Sequence, residues 1–111
     1  MKLAALTHYA LSLAQAIEQP HFQYASYRVG GKIFMTVAPE GTHVHVFVGE
    51  TQREPALALH PGCVEKLLWG GKVVGLRIAL AKVPPQVAKD LVRAAWEQRV
   101  PARKPAGRTR R

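Results

Sequence analysis

The same short pattern occurs twice in this chain, as Val29-Gly30-Gly31-Lys32-Ile33 and as Trp69-Gly70-Gly71-Lys72-Val73. Each glycine pair lies between runs of β-branched and aromatic residues, Tyr27 to Val37 in one case and Val64 to Ile78 in the other. A two-residue type I′ loop demands positive φ at both positions, and glycine adopts that conformation without a Cβ clash. The pattern predicts two antiparallel β-hairpins, each with a lysine just past its tip. Such tips have two readings. They can reach a nucleic-acid backbone as wings do, or they are solvated turns of an antiparallel sheet.

The remaining elements follow from periodicity and from proline. Leu3, Leu6, Ala10, Leu13 and Ile17 recur at spacings of three and four, which predicts a helix over 3–18. Pro20 ends it, because the residue before a proline avoids the helical region. Phe22 to Val29 and Lys32 to Val37 form the first hairpin, and Pro39-Glu40-Gly41 is a further turn. His43-Val44-His45-Val46-Phe47-Val48 is a period-two strand. Its valines take the core side and His43, His45 and Phe47 the other. A short helix follows. Thr51 and Glu54 match a capping box, but Glu54 as cap with Pro55 at the first helical position fits better. His60-Pro61-Gly62 closes that helix, and Cys63 to Leu68 with Lys72 to Leu80 makes the second hairpin. Pro84-Pro85 opens a last helix over 84–98, with Val87, Leu91, Ala94 and Ala95 as its stripe, widened by Val92 and Trp96. Arg93 and Glu97 pair one turn apart on its wet face. The order α-β-β-β-α-β-β-α implies an α+β fold, a two-layer antiparallel sheet with helices packed on one face.

At 111 residues the chain is one domain with room for a core. No apolar run approaches the roughly 20 residues of a membrane span. Thr7, His8 and Tyr9 interrupt the apolar N-terminus, so a signal peptide is not expected. Cys63 is the only cysteine, which excludes an intrachain disulfide and fits a reducing cytoplasm. The net charge of +9 is uneven. Residues 1–98 hold ten Lys/Arg against seven Asp/Glu, a balance of +3, whereas residues 99–111 hold six Lys/Arg and no acid, a balance of +6. With Pro101, Pro105 and Gly107 and almost no apolar residue after Val100, residues 99–111 are expected to be a flexible basic tail beside a domain of residues 1–98. Such tails bind polyanions, or merely solubilise.

The run PHFQYASYRVGGKIFMTVAPEG from Pro20 to Gly41 resembles the MmcQ/YjbR-like family. His21, Phe22, Tyr27, Arg28, Gly31, Lys32, Ile33 and Phe34 fit its pattern, as does LHPGCVEKLLWGGK from Leu59 and a last helix ending in Ala94-Ala95-Trp96. The resemblance covers about residues 3–98. The departure is Val73-Val74, where many members have a tryptophan. The resemblance implies a small domain with a frataxin-like (CyaY-like) sheet, described as a double-wing DNA-binding arrangement.

Chemistry-bearing constellations are sparse. His43 and His45 share a strand face, but a metal site needs a third protein ligand, and His8, His21 and His60 have no spacing that brings one. They read as surface residues on a solvent-facing strand edge, and no metal or cofactor is expected. An iron function would need an acidic ridge, and the first helix carries only Glu18. The acids are scattered singly and no Gly-rich loop of Walker or Rossmann spacing occurs, so no enzyme is expected. Cys63 reads as a small half-buried strand residue. Arg28, Lys32, Lys72 and Arg77 flank or follow the two turns, interleaved with Tyr24, Tyr27, Phe34 and Trp69. Basic residues beside aromatics suit a nucleic-acid surface, while aromatics in strands also serve as core. The expected nucleic-acid contacts are Arg28, Lys32, Lys72 and Arg77, with Arg103, Lys104, Arg108, Arg110 and Arg111 from the tail. The expectation is a monomeric cytoplasmic domain that binds DNA weakly and without sequence preference. The alternative is a protein-interaction or small-ligand module using the sheet edge or the His43/His45/Phe47 face.

Overall fold

Both glycine pairs adopt the turn that their sequence demands. Gly30 and Gly31 have φ of 59° and 79°, and Gly70 and Gly71 have 59° and 80°. The computed structural model describes residues 1–101. Their order is α1 (Leu3–Ser12), β1 (Ile17–His21), β2 (Tyr24–Val29), β3 (Lys32–Val37), β4 (His43–Val46), α2 (Glu50–Leu59), β5 (Val64–Trp69), β6 (Lys72–Ala79) and α3 (Pro85–Arg99). The strands form one six-stranded sheet in the order β1-β2-β3-β4-β6-β5, and every pairing is antiparallel. The fold is α+β, as expected, with one strand more.

The core lies between the sheet and the helices. Val44, Val46, Leu76 and Ile78 are wholly buried on the sheet side. Leu6 and Ala10 from α1 and Ala88, Val92 and Ala95 from α3 meet them with no exposed surface. The Trp96 indole N–H donates to the Ala14 carbonyl at 2.9 Å and fastens α3 to the end of α1.

Three expectations are corrected. The first helix stops at Ser12 rather than 18, and Ile17 to His21 becomes the extra strand. The chain reverses through Gln15 at φ 64°, and residues 17–21 then pair with Tyr24 to Arg28 of β2. That ladder satisfies backbone groups along β2 that would otherwise form the sheet edge. Pro20 is tolerated because β1 is itself an edge strand, where a missing N–H costs no ladder bond.

The second helix begins at Glu50, with Gly49 as N-cap and Pro55 inside it. Side-chain hydrogen bonds hold this early turn, two of them from Gln98 in α3. Gln98 Oε1 accepts the Gly49 N–H at 3.1 Å, Gln98 Nε2 donates to Gln52 Oε1 at 2.6 Å, and Arg53 Nη1 donates to the Val48 carbonyl at 2.9 Å.

The third correction concerns His45. The alternation in β4 is as expected, but β4 is interior to the sheet, between β3 and β6. Side chains of flanking strands cover that face, Tyr24 and Thr36 beside His45 and Trp69 beside Phe47, so His45 is 6 % exposed and Phe47 5 % exposed rather than solvent-facing.

Candidate functional site

β2, β4 and β5 run in one direction, since each is antiparallel to a neighbour of the opposite sense. Both glycine tips therefore lie at the same end of the sheet, with the end of β4 between them. Each hairpin also contains a bulge close to its tip. Tyr27 pairs with Met35 but Arg28 with Ile33, so Phe34 is an extra residue in β3. Leu67 pairs with Gly75 but Leu68 with Val73, so Val74 is extra in β6. An extra residue reverses the alternation of side chains beyond it. In β3 this sends Phe34 into the core with Met35 and puts Ile33 on the opposite face beside Arg28.

The result is a groove of about 470 Å³ between the hairpins, on the face away from the helix-side core. Ile33, Val74 and Phe47 give it an apolar lining, and Trp69 stands beside Phe47 with ring centroids 5.1 Å apart. Trp69 is 48 % exposed. Arg28, Lys32 and Arg99 bring three cations to the same groove, and among the described residues no carboxylate lines it. Arg28 is held in place. Its Nε donates to Ser26 Oγ at 3.1 Å, Ser26 Oγ donates to the Gln19 carbonyl at 2.7 Å, and Arg28 Nη2 lies 3.5 Å from His21 Nδ1. A guanidinium has five N–H donors, so this anchoring leaves others for an anion. Arg99 Nε is buried and has no hydrogen-bond partner among the described residues.

The expected contact residues thus divide. Arg28 and Lys32 line the groove. Lys72 is exposed at the second tip, opposite Trp69 in the ladder, and lies outside the lining. Arg77 pairs with Glu65 at 2.9 Å, which offsets its charge. Arg103, Lys104, Arg108, Arg110 and Arg111 lie outside the described residues. Of the interleaved aromatics, Tyr27 and Phe34 are core residues, at 3 % and 0 % exposure. Burial, and then the Glu18 carboxylate beside it, pushes the Tyr27 hydroxyl up to about 12. Sequence reasoning did not single out Arg99, Val74 or His21 as site residues. Arg99 is the last helical residue of α3, and nothing local ties it to residues 28–33.

Histidine and cysteine chemistry lies elsewhere. His45 Nδ1 is 3.3 Å from Thr36 Oγ1, and its Nε2 has no partner among the described residues. Burial first, then the charges of Arg77 and His43, hold His45 below the usual histidine range. The Cys63 thiol is half-buried and faces the His60 carbonyl at 3.8 Å. Among the described residues no group of three His, Cys, Asp or Glu side chains could hold a metal ion, and no helix is long and apolar enough to cross a membrane.

No curated protein and no solved structure matches this chain. The family model described as YjbR does match, over residues 11–98, which takes in the sheet, both hairpins and nearly all of α3. With most of its length matched, the chain belongs to the YjbR family.

Proposed function

We propose that this chain is a small, non-enzymatic cytoplasmic domain that binds DNA weakly and without sequence preference. The contacts come from the groove between its hairpin tips, from Lys72 and from its basic C-terminal residues. One observation carries this reading: Arg28, Lys32 and Arg99 converge on one groove whose lining, among the described residues, includes no carboxylate. Uncompensated cations of this kind meet phosphates and release condensed counterions. Phosphate contacts set position and carry no base information, hence the lack of sequence preference.

A salt titration of duplex binding tests it. Three groove cations give a log–log slope of roughly −2.7 if each neutralises one phosphate. Truncation after Pro101 removes Arg103, Lys104, Arg108, Arg110 and Arg111. It flattens the full-length slope by about 4.5 if all five engage. Absence of salt-sensitive duplex binding at low ionic strength defeats the reading. The interaction-module alternative then takes the lead, supported by Leu68 and Trp69, which stand 58 % and 48 % exposed at the second tip.

A further inference from the structure

Phosphate binding explains the cations of the groove and leaves its aromatic half without a role. Trp69 is a large side chain on an edge strand, half in solvent. It is not loose, because the buried Phe47 ring stands against it at 5.1 Å with a 59° tilt. An indole braced on one side and bare on the other is a stacking platform. The wall beside it is apolar, Ile33 and Val74, and both positions adjoin bulges. The three cations supply the anion-binding half of the site, with Arg28 fixed through Ser26 and with Arg99 Nε–H unpartnered among the described residues. The volume, about 470 Å³, falls within the range of small-molecule sites. Duplex DNA offers phosphates to such a groove but keeps its bases stacked on one another, so the indole gains nothing from it. An unpaired nucleotide supplies both halves at once.

We propose that the groove holds one unpaired nucleotide, its base stacked on Trp69 and its phosphate between Arg28, Lys32 and Arg99, so that single strands bind in preference to duplex. This deepens the nucleic-acid reading above and rests on it. The same chemistry is present in a free nucleotide, and the experiment separates the two sources.

The full-length chain is titrated at low salt by anisotropy against labelled oligothymidylate, an abasic deoxyribose-phosphate oligomer of equal length, and a duplex of equal length. Oligothymidylate is expected to bind about tenfold more tightly than the abasic oligomer. Trp69→Ala removes that preference and leaves abasic and duplex binding unchanged, while Trp69→Phe retains part of it. Arg28→Gln weakens all three. Folding of each variant is checked by circular dichroism, and Trp69 is exposed enough that its truncation leaves the core intact. Competition by thymidine monophosphate assigns the source. Displacement at the concentration that oligothymidylate requires points to free nucleotides, and displacement only at far higher concentration points to strands. Equal affinity for oligothymidylate and the abasic oligomer, or a preference that survives Trp69→Ala, overturns the nucleotide site while phosphate binding stands. Absence of salt-sensitive binding to all three ligands overturns both.

Discussion

The two glycine hairpins share their turn and differ in what surrounds it. Their φ angles agree within a degree, 59° and 79° against 59° and 80°, and each carries a bulge near the tip. Yet Val29, before the first turn, is 1 % exposed, whereas Leu68 and Trp69, before the second, are 58 % and 48 % exposed. The end of α3 reaches the first tip. Pro101 follows that helix and lies over the first tip, so close that a Cβ on Gly30 would sit 2.7 Å from its Cγ, while a Cβ on Gly70 or Gly71 meets nothing within 4 Å. A local sequence fixes the conformation of a turn. Whether that turn is built into the domain or presented to solvent depends on a helix end some seventy residues further along in one case, and on nothing comparable in the other.

The bulges give the sharpest test of this difference. Phe34 is the extra residue of the first hairpin and is wholly buried, whereas Val74 in the second is half-buried at the groove. Phe34→Ala is expected to cost about 4 kcal/mol and Val74→Ala about 0.5–1 kcal/mol, measured by urea denaturation. Similar losses at the two positions would break the comparison.

The turns themselves come next. Alanine at either first glycine must adopt a left-handed conformation at about 1 kcal/mol. At Gly30 it must also displace Pro101, so Gly30→Ala is expected to cost about 2 kcal/mol and Gly70→Ala about half of that. Equal costs would mean that the seat of Pro101 contributes no stability.

The titrating groups of the two faces should respond at opposite ends of the pH scale. Tyr27 has a folded pKa raised from 10.0 to about 12, so its neutral form is favoured in the fold. Its contribution is fully present below 10.0 and is lost as pH rises toward about 12. His45 is depressed below its ordinary 6.5, so its contribution is present above 6.5 and lost as pH falls through the lower folded value. Tyr27→Phe should flatten the alkaline limb of a stability–pH curve and leave the acid limb unchanged.

The smallest expected effect separates the tip lysines. Lys32 lines the groove and Lys72 does not. Lys32→Ala should reduce the salt slope of nucleic-acid binding by about 0.9, and Lys72→Ala by less.

Much of the fold was legible because it depends on local rules. Glycine pairs fix turns, valines at period two mark the helix-facing side of β4, and α3 ends within a residue of where its spacing predicted. The errors occur where distant residues overrule local preference. Residues 13–18 continue a helical spacing, yet Ile17 to His21 pairs with β2. Pro55 suits a helix start, yet Gln98 from α3 holds the helix open from Glu50. The candidate site was half legible. Arg28 and Lys32 adjoin the first glycine pair, and Trp69 adjoins the second. Their union with Phe47, Val74 and Arg99 was not, because it depends on strand order and on two single-residue bulges.

Read alone, the chain dictates two type I′ hairpins, an antiparallel sheet covered by helices, and basic residues beside both turns. It does so because backbone sterics and side-chain periodicity act over a few residues. Tertiary packing sets the rest: both tips share one end of the sheet, Arg77 pairs with Glu65, His45 is buried, and the end of α3 brings Arg99 to the groove. Those outcomes are set by contacts between residues far apart in the chain, and such contacts form only when the whole sheet closes around its core.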